Sequence, residues 1–150
     1  MNESSSTGVP APSPPIGVVV VTHGQLAVEL LNSAEMIVGD LPRFAAVSIG
    51  WHDDVTQASD EIARAVARVR GEAGVLVLTD MFGGTPSNLS MTLLEAGQVE
   101  VITGVNLPML IKLAGLQRST DLIAVAREMR DHGRNAIWVA SDLMRVEPRS

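Results

Sequence analysis

The sequence predicts a three-layer α/β/α sandwich with a mostly parallel central sheet. Two apolar runs rich in β-branched residues carry this prediction, Ile16–Thr22 and Gly74–Thr79. Short continuous apolar runs are typical of strands covered on both faces, as in parallel sheets. Segments with helical spacing of apolar residues alternate with the strands along the chain, which is the pattern of successive βαβ units.

The first half of the chain contains two strands and two helices in alternation. After the first strand, apolar residues recur at helical spacing and predict a helix that ends at Gly39. These positions are Leu26, Leu30, Ala34 and Ile37 or Val38. A second strand is predicted at Phe44–Ile49. The next helix can be capped by Asp53, Asp54 or Thr56, and it has an apolar face formed by Ile62, Val66 and Val69.

The second half repeats the alternation. Pro86 suits the first turn of a helix that we expect to continue to Gly97. A fourth strand is predicted at Val99–Thr103, followed by a short helix that ends near Gly115. Thr120 is the predicted cap of a further helix that stops at Gly133 and has its apolar positions at Leu122, Val125, Ala126 and Met129. The last predicted strand is Ala136–Ala140.

Composition excludes several classes of function. The chain has 150 residues, no cysteine and a formal net charge of −6. Without cysteine it can form neither disulfides nor zinc–thiolate sites, and it has no thiol nucleophile. The acidic balance argues against binding to nucleic acid and gives no polybasic patch for a membrane surface. It favours a protein partner with a basic docking face, and the lack of cysteine suits a cytoplasmic protein.

The chain divides into one domain and two short flanking segments. Residues 1–15, MNESSSTGVPAPSPP, are predicted to be a flexible lead-in because they are rich in serine and proline. They lack the basic and apolar regions of a secretory signal. Residues 16–142 are predicted to be a single domain, and residues 143–150 a polar tail. No apolar run approaches the roughly 20 residues that a membrane-spanning helix needs.

Two residues at the ends of the buried strands are the strongest candidates for chemistry. His23 directly follows the first strand and Asp80 directly follows the third. The carboxyl ends of parallel strands meet at one edge of the sheet, where ligands collect. An imidazole is a nucleophile near pH 7, and Asp80 could hold its Nδ1–H so that Nε2 is free. The alternative is structural, with a capping or core histidine and a turn-forming aspartate.

The loop MFGGTPSN at residues 81–88 is the third candidate. At the start of a helix, its backbone N–H groups and the hydroxyl of Thr85 or Ser87 could bind a phosphoryl group, although glycine and proline also form plain turns. It matches neither the dinucleotide-binding pattern nor the P-loop. Gly24 leaves room beside His23. A metal site at His52, Asp53 and Asp54 is disfavoured because few ligands are present, and we expect no cofactor.

Three segments of the chain together resemble one known family. They are VVVVTHGQLAVELLNSAEMIVGD, VLVLTDMFGGTPSN and VEVITGVNLPMLIKL, which occur in this order over residues 16–142. They resemble the mannose-type enzyme IIA components of the bacterial phosphoenolpyruvate–sugar phosphotransferase system. The resemblance implies that His23 is the phosphorylated histidine and Asp80 the acid that orients it. It assigns the phosphate-side loop to Gly83, Gly84 and Thr85. Gly24, which leaves room beside His23, is the fourth residue expected to border the phosphoryl group.

The resemblance also implies a function and an assembly. Such domains take a phosphoryl group from phospho-HPr and pass it to a IIB component, and they form homodimers that exchange a C-terminal strand. Ala136–Ala140 is the matching segment here. Because the sequence stops at Ser150, too soon for a fused IIB domain, we expect a separate IIB protein as acceptor.

Three alternatives to sugar transport stay open from the sequence. The first is a stand-alone regulatory switch with the same phosphohistidine chemistry. The second is the related phosphotransferase subunit of dihydroxyacetone kinase. The third is a small-molecule hydrolase that uses His23 and Asp80 as a base pair. Leu26, Met81 and Phe82 are expected either to form an apolar rim for partners or to pack in the core.

Overall fold

The computed structural model describes residues 16–116 and 121–145. Four strands alternate with helices, which confirms the predicted α/β sandwich. In chain order the elements are β1 (Gly17–His23), α1 (Leu26–Val38), β2 (Phe44–Ile49), α2 (Val55–Val69), β3 (Val75–Thr79), α3 (Gly84–Met91), β4 (Val99–Thr103), α4 (Leu107–Ala114), α5 (Leu122–Asn135) and α6 (Ala140–Arg145). No helix within the described ranges has the length and apolar content needed to cross a membrane.

The four strands form one parallel sheet in the order β2-β1-β3-β4. The chain adds β2 on one side of β1 and then crosses over to add β3 on the other side. The connections therefore leave β1 and β3 in opposite directions at their carboxyl ends, which opens a crevice between them. His23 ends β1, and Asp80 is the first residue after β3.

Helices cover both faces of the sheet and enclose two apolar clusters. Helices α1, α4 and α5 pack on one face, and α2 and α3 pack on the other. The two central strands are almost completely buried because each face of each strand has a helical layer above it. Their continuous apolar runs, on which the fold prediction depends, are Val18–Val21 and Val75–Leu78.

Helix α2 follows its sequence prediction closely. Asp54 is the N-cap, and its carboxylate accepts a hydrogen bond from the backbone N–H of Thr56 at 3.3 Å. Ile62, Val66 and Val69 are buried against the sheet, as their spacing predicts. The choice among three possible caps is thus settled in favour of the residue directly before the helix.

Helix α1 has the predicted length, and its buried face matches the prediction in part, since Ala34 is buried and Leu30 packs against the core. Ala27 and Ala34 are its fully buried residues, whereas Leu26, Ile37 and Val38 are exposed. The buried hydroxyl of Thr22 accepts a hydrogen bond from the N–H of Ala27 at 2.7 Å. This contact holds the first turn of α1 against β1, and Ala27 is fully buried there.

Three other boundaries differ from their predictions. Helix α3 ends at Met91 and not at Gly97, because the Thr92 hydroxyl donates to the Leu89 carbonyl at 2.6 Å as the helix stops. Helix α5 continues two residues beyond Gly133. Its cap is Asp121, whose carboxylate accepts from the N–H of Ala124 at 3.2 Å. The predicted cap Thr120 lies outside the described residues, as do the lead-in 1–15 and residues 146–150.

The predicted strand Ala136–Ala140 is wrong for this chain taken alone. Residues 136–139 have no regular secondary structure, and α6 begins at Ala140. A strand exists only where a neighbouring strand completes its hydrogen bonds, and in the described sheet β4 pairs with β3 alone. The side chains of Ile137, Trp138 and Val139 are consequently exposed. An exchange of this segment between subunits requires a second copy of the chain.

Candidate functional site

His23 projects from the carboxyl end of β1 into the crevice between β1 and β3. Its side chain is half-exposed, with 51% of its surface accessible. The backbone N–H of Gly24 donates to the Ile49 carbonyl at 2.9 Å, so the β1–β2 ladder holds the chain on both sides of the imidazole. The ring is therefore presented to solvent from a rigid strand end and not from a loose loop.

Asp80 fixes the orientation of the imidazole. One carboxylate oxygen, Oδ2, lies 2.8 Å from Nδ1 of His23 and also accepts the backbone N–H of His23 at 3.0 Å. The other oxygen, Oδ1, accepts the N–H of Met81 at 3.1 Å. The carboxylate is 14% exposed. Because an ionised carboxylate only accepts hydrogen bonds, Nδ1 carries the proton in this contact. The lone pair of the neutral imidazole is then on Nε2.

The glycine loop borders the free side of the imidazole. Gly83 is the N-cap of α3, and Gly84 and Thr85 form its first turn. A Cβ placed on Gly84 would lie 3.0 Å from both Cε1 and Nε2 of His23, and Gly84 has a φ of +85°. The backbone of this turn can therefore come this close to Nε2 because residue 84 has no side chain.

The structure brings the predicted site residues together at one edge of the sheet. Asp80 contacts the imidazole of His23 on one side, and Gly84 borders it on the other. A Cβ on Gly24 would have no neighbour within 4 Å, so the space beside His23 is open there. Gly83 and Thr85 lie on either side of Gly84 in the same turn. The start of a helix carries backbone N–H groups without intrahelical partners and a partial positive charge. A nucleophilic nitrogen thus lies beside a turn that is suited to an anion.

Comparison with known proteins identifies the family. The sequence model of the family described as "PTS system fructose IIA component" matches residues 17–129, which include the whole site. The chain belongs to this family. Its members are components of the phosphotransferase system, so the phosphotransferase class follows from the match.

Individual relatives agree with this assignment. The chain is 34% identical over 133 residues to the mannose-specific EIIAB component of Escherichia coli K12, covering 81% of this chain but 39% of that protein. It therefore spans about two-fifths of the length of that relative. The fructose-specific EIIA component of Bacillus subtilis is 27% identical over 128 residues, 85% of this chain and 88% of that protein.

A solved structure agrees as well. The mannose/sorbose-specific IIA subunit from Enterococcus faecalis superposes with a TM-score of 0.73 at 31% identity, covering 82% of this chain and 92% of that one. The IIA fold predicted from the motifs is thus found both in sequence and in three dimensions.

Two further polar residues of this IIA chain have structural and not chemical surroundings. Ser87, the other hydroxyl considered for the phosphate loop, is fully buried, and its Oγ contacts the sulfur of Met91 at 3.7 Å. Asn106 caps α4, because its side-chain oxygen accepts the N–H of Met109 at 3.2 Å. Its amide also donates to the carbonyl of Gly133 at 3.0 Å and so ties α4 to the end of α5.

The carboxylates of the acidic loop after β2 accept hydrogen bonds from backbone N–H groups. The Asp53 carboxylate accepts the N–H of Gly50 at 2.6 Å, and the Asp54 carboxylate caps α2. Both carboxylates therefore stabilise the local backbone, one by closing the turn and the other by capping the helix. They also hold Trp51 at the tip of the turn, where it is 93% exposed. The polar residues that follow Trp51 in the sequence, His52, Asp53 and Asp54, are typical of such a surface turn.

Proposed function

We propose that this chain is a histidine phosphocarrier of the sugar phosphotransferase system. His23 accepts a phosphoryl group from phospho-HPr and passes it to a IIB component in the cytoplasm. The observation that carries the proposal is the 2.8 Å contact between Nδ1 of His23 and Oδ2 of Asp80, because it leaves Nε2 unprotonated and facing the approach side. The family match supports the same chemistry.

The transfer requires no proton movement within the site. Nε2 attacks the phosphorus of the donor phosphohistidine, the donor P–N bond breaks, and a new P–N bond forms on His23. The ring becomes positively charged. Its Nδ1 keeps its proton and stays hydrogen-bonded to Asp80, whose carboxylate stabilises that charge. When the acceptor attacks the phosphorus, His23 leaves as the same neutral tautomer. Asp80 therefore serves both halves of the relay by holding the ring in one orientation.

The glycine turn supplies stabilisation of the phosphoryl oxygens. Phosphoryl transfer depends mainly on positioning and on electrostatic stabilisation of the equatorial oxygens. The first turn of α3 offers unpaired backbone N–H groups, and Thr85 adds a hydroxyl beside them. Gly24, Gly83 and Gly84 keep the surroundings of Nε2 free of side chains. No cofactor is required by this mechanism.

We further propose that the chain forms a homodimer in which a segment of one copy pairs with β4 of the other. Strand β4 is at the edge of the described sheet, and a groove of about 400 Å³ lies between β4 and α5, with Ile137 among its lining residues. A strand from a second copy would complete the hydrogen bonds of β4 and cover the apolar segment Ile137–Val139. We expect sedimentation equilibrium to give the mass of a dimer, and Trp138→Glu to shift it toward the monomer. A wild-type monomer would contradict the exchange.

The decisive experiment is phosphoryl transfer in a reconstituted system. Phosphoenolpyruvate, enzyme I and HPr are mixed with the chain, and intact mass and site mapping follow. We expect one phosphoryl group on His23 that is labile in acid and stable in base, and none in His23→Ala, with the melting temperature unchanged. A folded wild type that stays unmodified beside functional HPr would contradict the proposal. Phosphorylation without transfer to any IIB protein would instead favour the regulatory switch.

A further inference from the structure

Trp51 is the most exposed large apolar side chain at the catalytic edge. It is 93% accessible at the tip of the turn between β2 and α2. Apolar surface of this size is normally buried on folding, and large exposed apolar groups next to one another mark interaction sites. The position of Trp51 is also well defined, because the Asp53 carboxylate closes the turn onto the N–H of Gly50.

Three further exposed apolar residues lie around the same edge. Leu26 begins α1 just after His23, and Met81 and Phe82 directly follow Asp80. All three are exposed, Phe82 to 73%. The turn that carries Trp51 follows β2, which lies on the side of β1 away from β3, so Trp51 and the pair Met81 and Phe82 are on opposite sides of His23. Leu26, Trp51, Met81 and Phe82 thus form a discontinuous ring, here termed the apolar collar, around the half-exposed imidazole.

The charge around the apolar collar has one sign. Glu29 lies in the first turn of α1, and Asp53 and Asp54 lie in the turn of Trp51. The sequence contains no lysine or arginine in residues 24–42, 44–63 or 71–111, which include the loops that directly follow all four strands. Arg130 and Arg134 of α5 line the groove beside β4, two strands away from His23. The transferred phosphoryl group is itself negatively charged. We therefore expect the positive charge that complements the apolar collar and the phosphoryl group to come from the other protein.

We propose that the apolar collar is the docking surface for the phosphoryl-donating protein, with Trp51 as its anchor. The partner has an apolar patch at the centre of its docking face and lysine or arginine side chains around it. Tryptophan at the tip of a held turn supplies much contact area at little cost in conformational entropy, which is why it is frequent among energetically dominant interface residues. This inference rests on the proposed function, since it names the partner surface of the same site.

Steady-state transfer kinetics test the docking role separately from the chemistry. Initial rates of transfer from phospho-HPr are measured against donor concentration for the wild type, for Trp51→Ala and for Met36→Ala. Met36 is an equally apolar and exposed residue at the other end of α1 and serves as the matched control. We expect Trp51→Ala to raise KM about tenfold or more, with kcat changed less than about twofold. Met36→Ala is expected to leave both constants unchanged.

A small phosphoryl donor distinguishes failure of the docking role from failure of the proposed function. Phosphoramidate reaches Nε2 without docking: its P–N bond breaks, the new P–N bond forms on His23, and ammonia leaves. We expect equal rates of labelling by phosphoramidate in the wild type and in Trp51→Ala. Slower labelling of the variant would show that Trp51 acts on the site itself and would overturn the docking role. Absence of labelling of the wild type by either donor would overturn the proposed function.

Two further measurements complete the test. Trp51→Phe should recover part of the lost affinity, because an aromatic ring remains at the tip of the turn. Raising the ionic strength should raise KM for phospho-HPr, since complementary charges across the interface are screened. A KM that is the same in Trp51→Ala and the wild type would overturn the proposed anchor, and a KM independent of salt would overturn the proposed basic rim of the partner.

Discussion

At the amino end of the sheet Gly17 packs against the end of α2, whereas at the carboxyl end Gly84 borders the imidazole of His23. A Cβ on Gly17 would lie 2.0 Å from the carbonyl oxygen of Val69, a backbone atom that cannot move without displacing α2. A Cβ on Gly84 would lie 3.0 Å from the ring of His23, and its next neighbour would be Cδ of Pro86 at 4.0 Å. The first glycine permits close packing, and the second keeps a reactive atom accessible.

The difference teaches that stability and chemistry are separated along the strands of this domain. The amino end is closed by backbone-to-backbone contacts, and its residues contribute to the free energy of unfolding. The carboxyl end is open, and its side chains are held by a few hydrogen bonds around His23. Substitutions at the two ends should therefore change different quantities. The predictions below are ordered by their expected effect on the rate of phosphoryl transfer.

Asp80→Asn should have the largest effect on the transfer rate. The amide can still contact Nδ1, but its NH₂ group favours the tautomer in which Nδ1 accepts and Nε2 is protonated. We expect transfer to slow on the order of 100-fold, with the fold retained. Rapid-quench measurement of phospho-His23 formation gives the rate, and circular dichroism monitors the fold. Unchanged kinetics would exclude the orienting role of Asp80.

Gly84→Ala and Gly83→Ala form a matched pair. Both positions have positive φ, +85° and +93°, so alanine costs each about 1–2 kcal/mol of backbone strain. Only the methyl group at position 84 meets the ring of His23, since a Cβ at position 83 has no neighbour within 4 Å. We expect Gly84→Ala to transfer about tenfold more slowly than Gly83→Ala, as a displacement of the imidazole reduces productive geometry.

The same two variants are compared in equilibrium unfolding and by the imidazole NMR signals of His23. Similar unfolding free energies together with a shifted ring in Gly84→Ala alone would match the expectation. Equal transfer rates in the two variants would show that the close approach of residue 84 is unimportant for the chemistry.

Gly17→Ala should have the smallest effect on transfer and a large effect on stability. The methyl group cannot be placed without moving the end of α2, so we expect a loss of about 3 kcal/mol in the free energy of unfolding. Urea denaturation measures this loss, and the rate per folded molecule should equal that of the wild type. Gly115→Ala is the control, because its Cβ would make only an ordinary contact at 3.7 Å. A similar loss in both variants would break the contrast between the two edges.

The sequence predicted those elements whose signal is local. The bounds of β2 and β4 agree with the structure, and those of β1 and β3 differ by one residue. The apolar face of α2 was also predicted, because its apolar residues recur at helical spacing among polar ones. The buried face of α1 was predicted only in part, because that helix is apolar on several sides. The contact of Ala27 with Thr22 places Ala27, and not Leu26, against the sheet.

For the candidate site, the sequence likewise predicted the residues but not the contacts between them. Its residues could be named from the sequence, since strand ends, glycines and a helix start are visible there. That Asp80 contacts Nδ1 and that Gly84 borders Nε2 depends on the order β2-β1-β3-β4, which places the ends of β1 and β3 side by side. The exposure of Trp51 likewise depends on how Asp53 closes its turn.

The sequence by itself determined the alternation of strands and helices, the burial of the central strands and the family motifs, because these depend on residues close together in the chain. Only the tertiary structure decided which face of α1 is buried, how the imidazole of His23 is oriented and that Ala136–Ala140 is not a strand in a single chain. Each of these depends on a neighbour distant in sequence. A strand in particular requires a partner, and periodicity cannot show whether that partner lies in the same molecule.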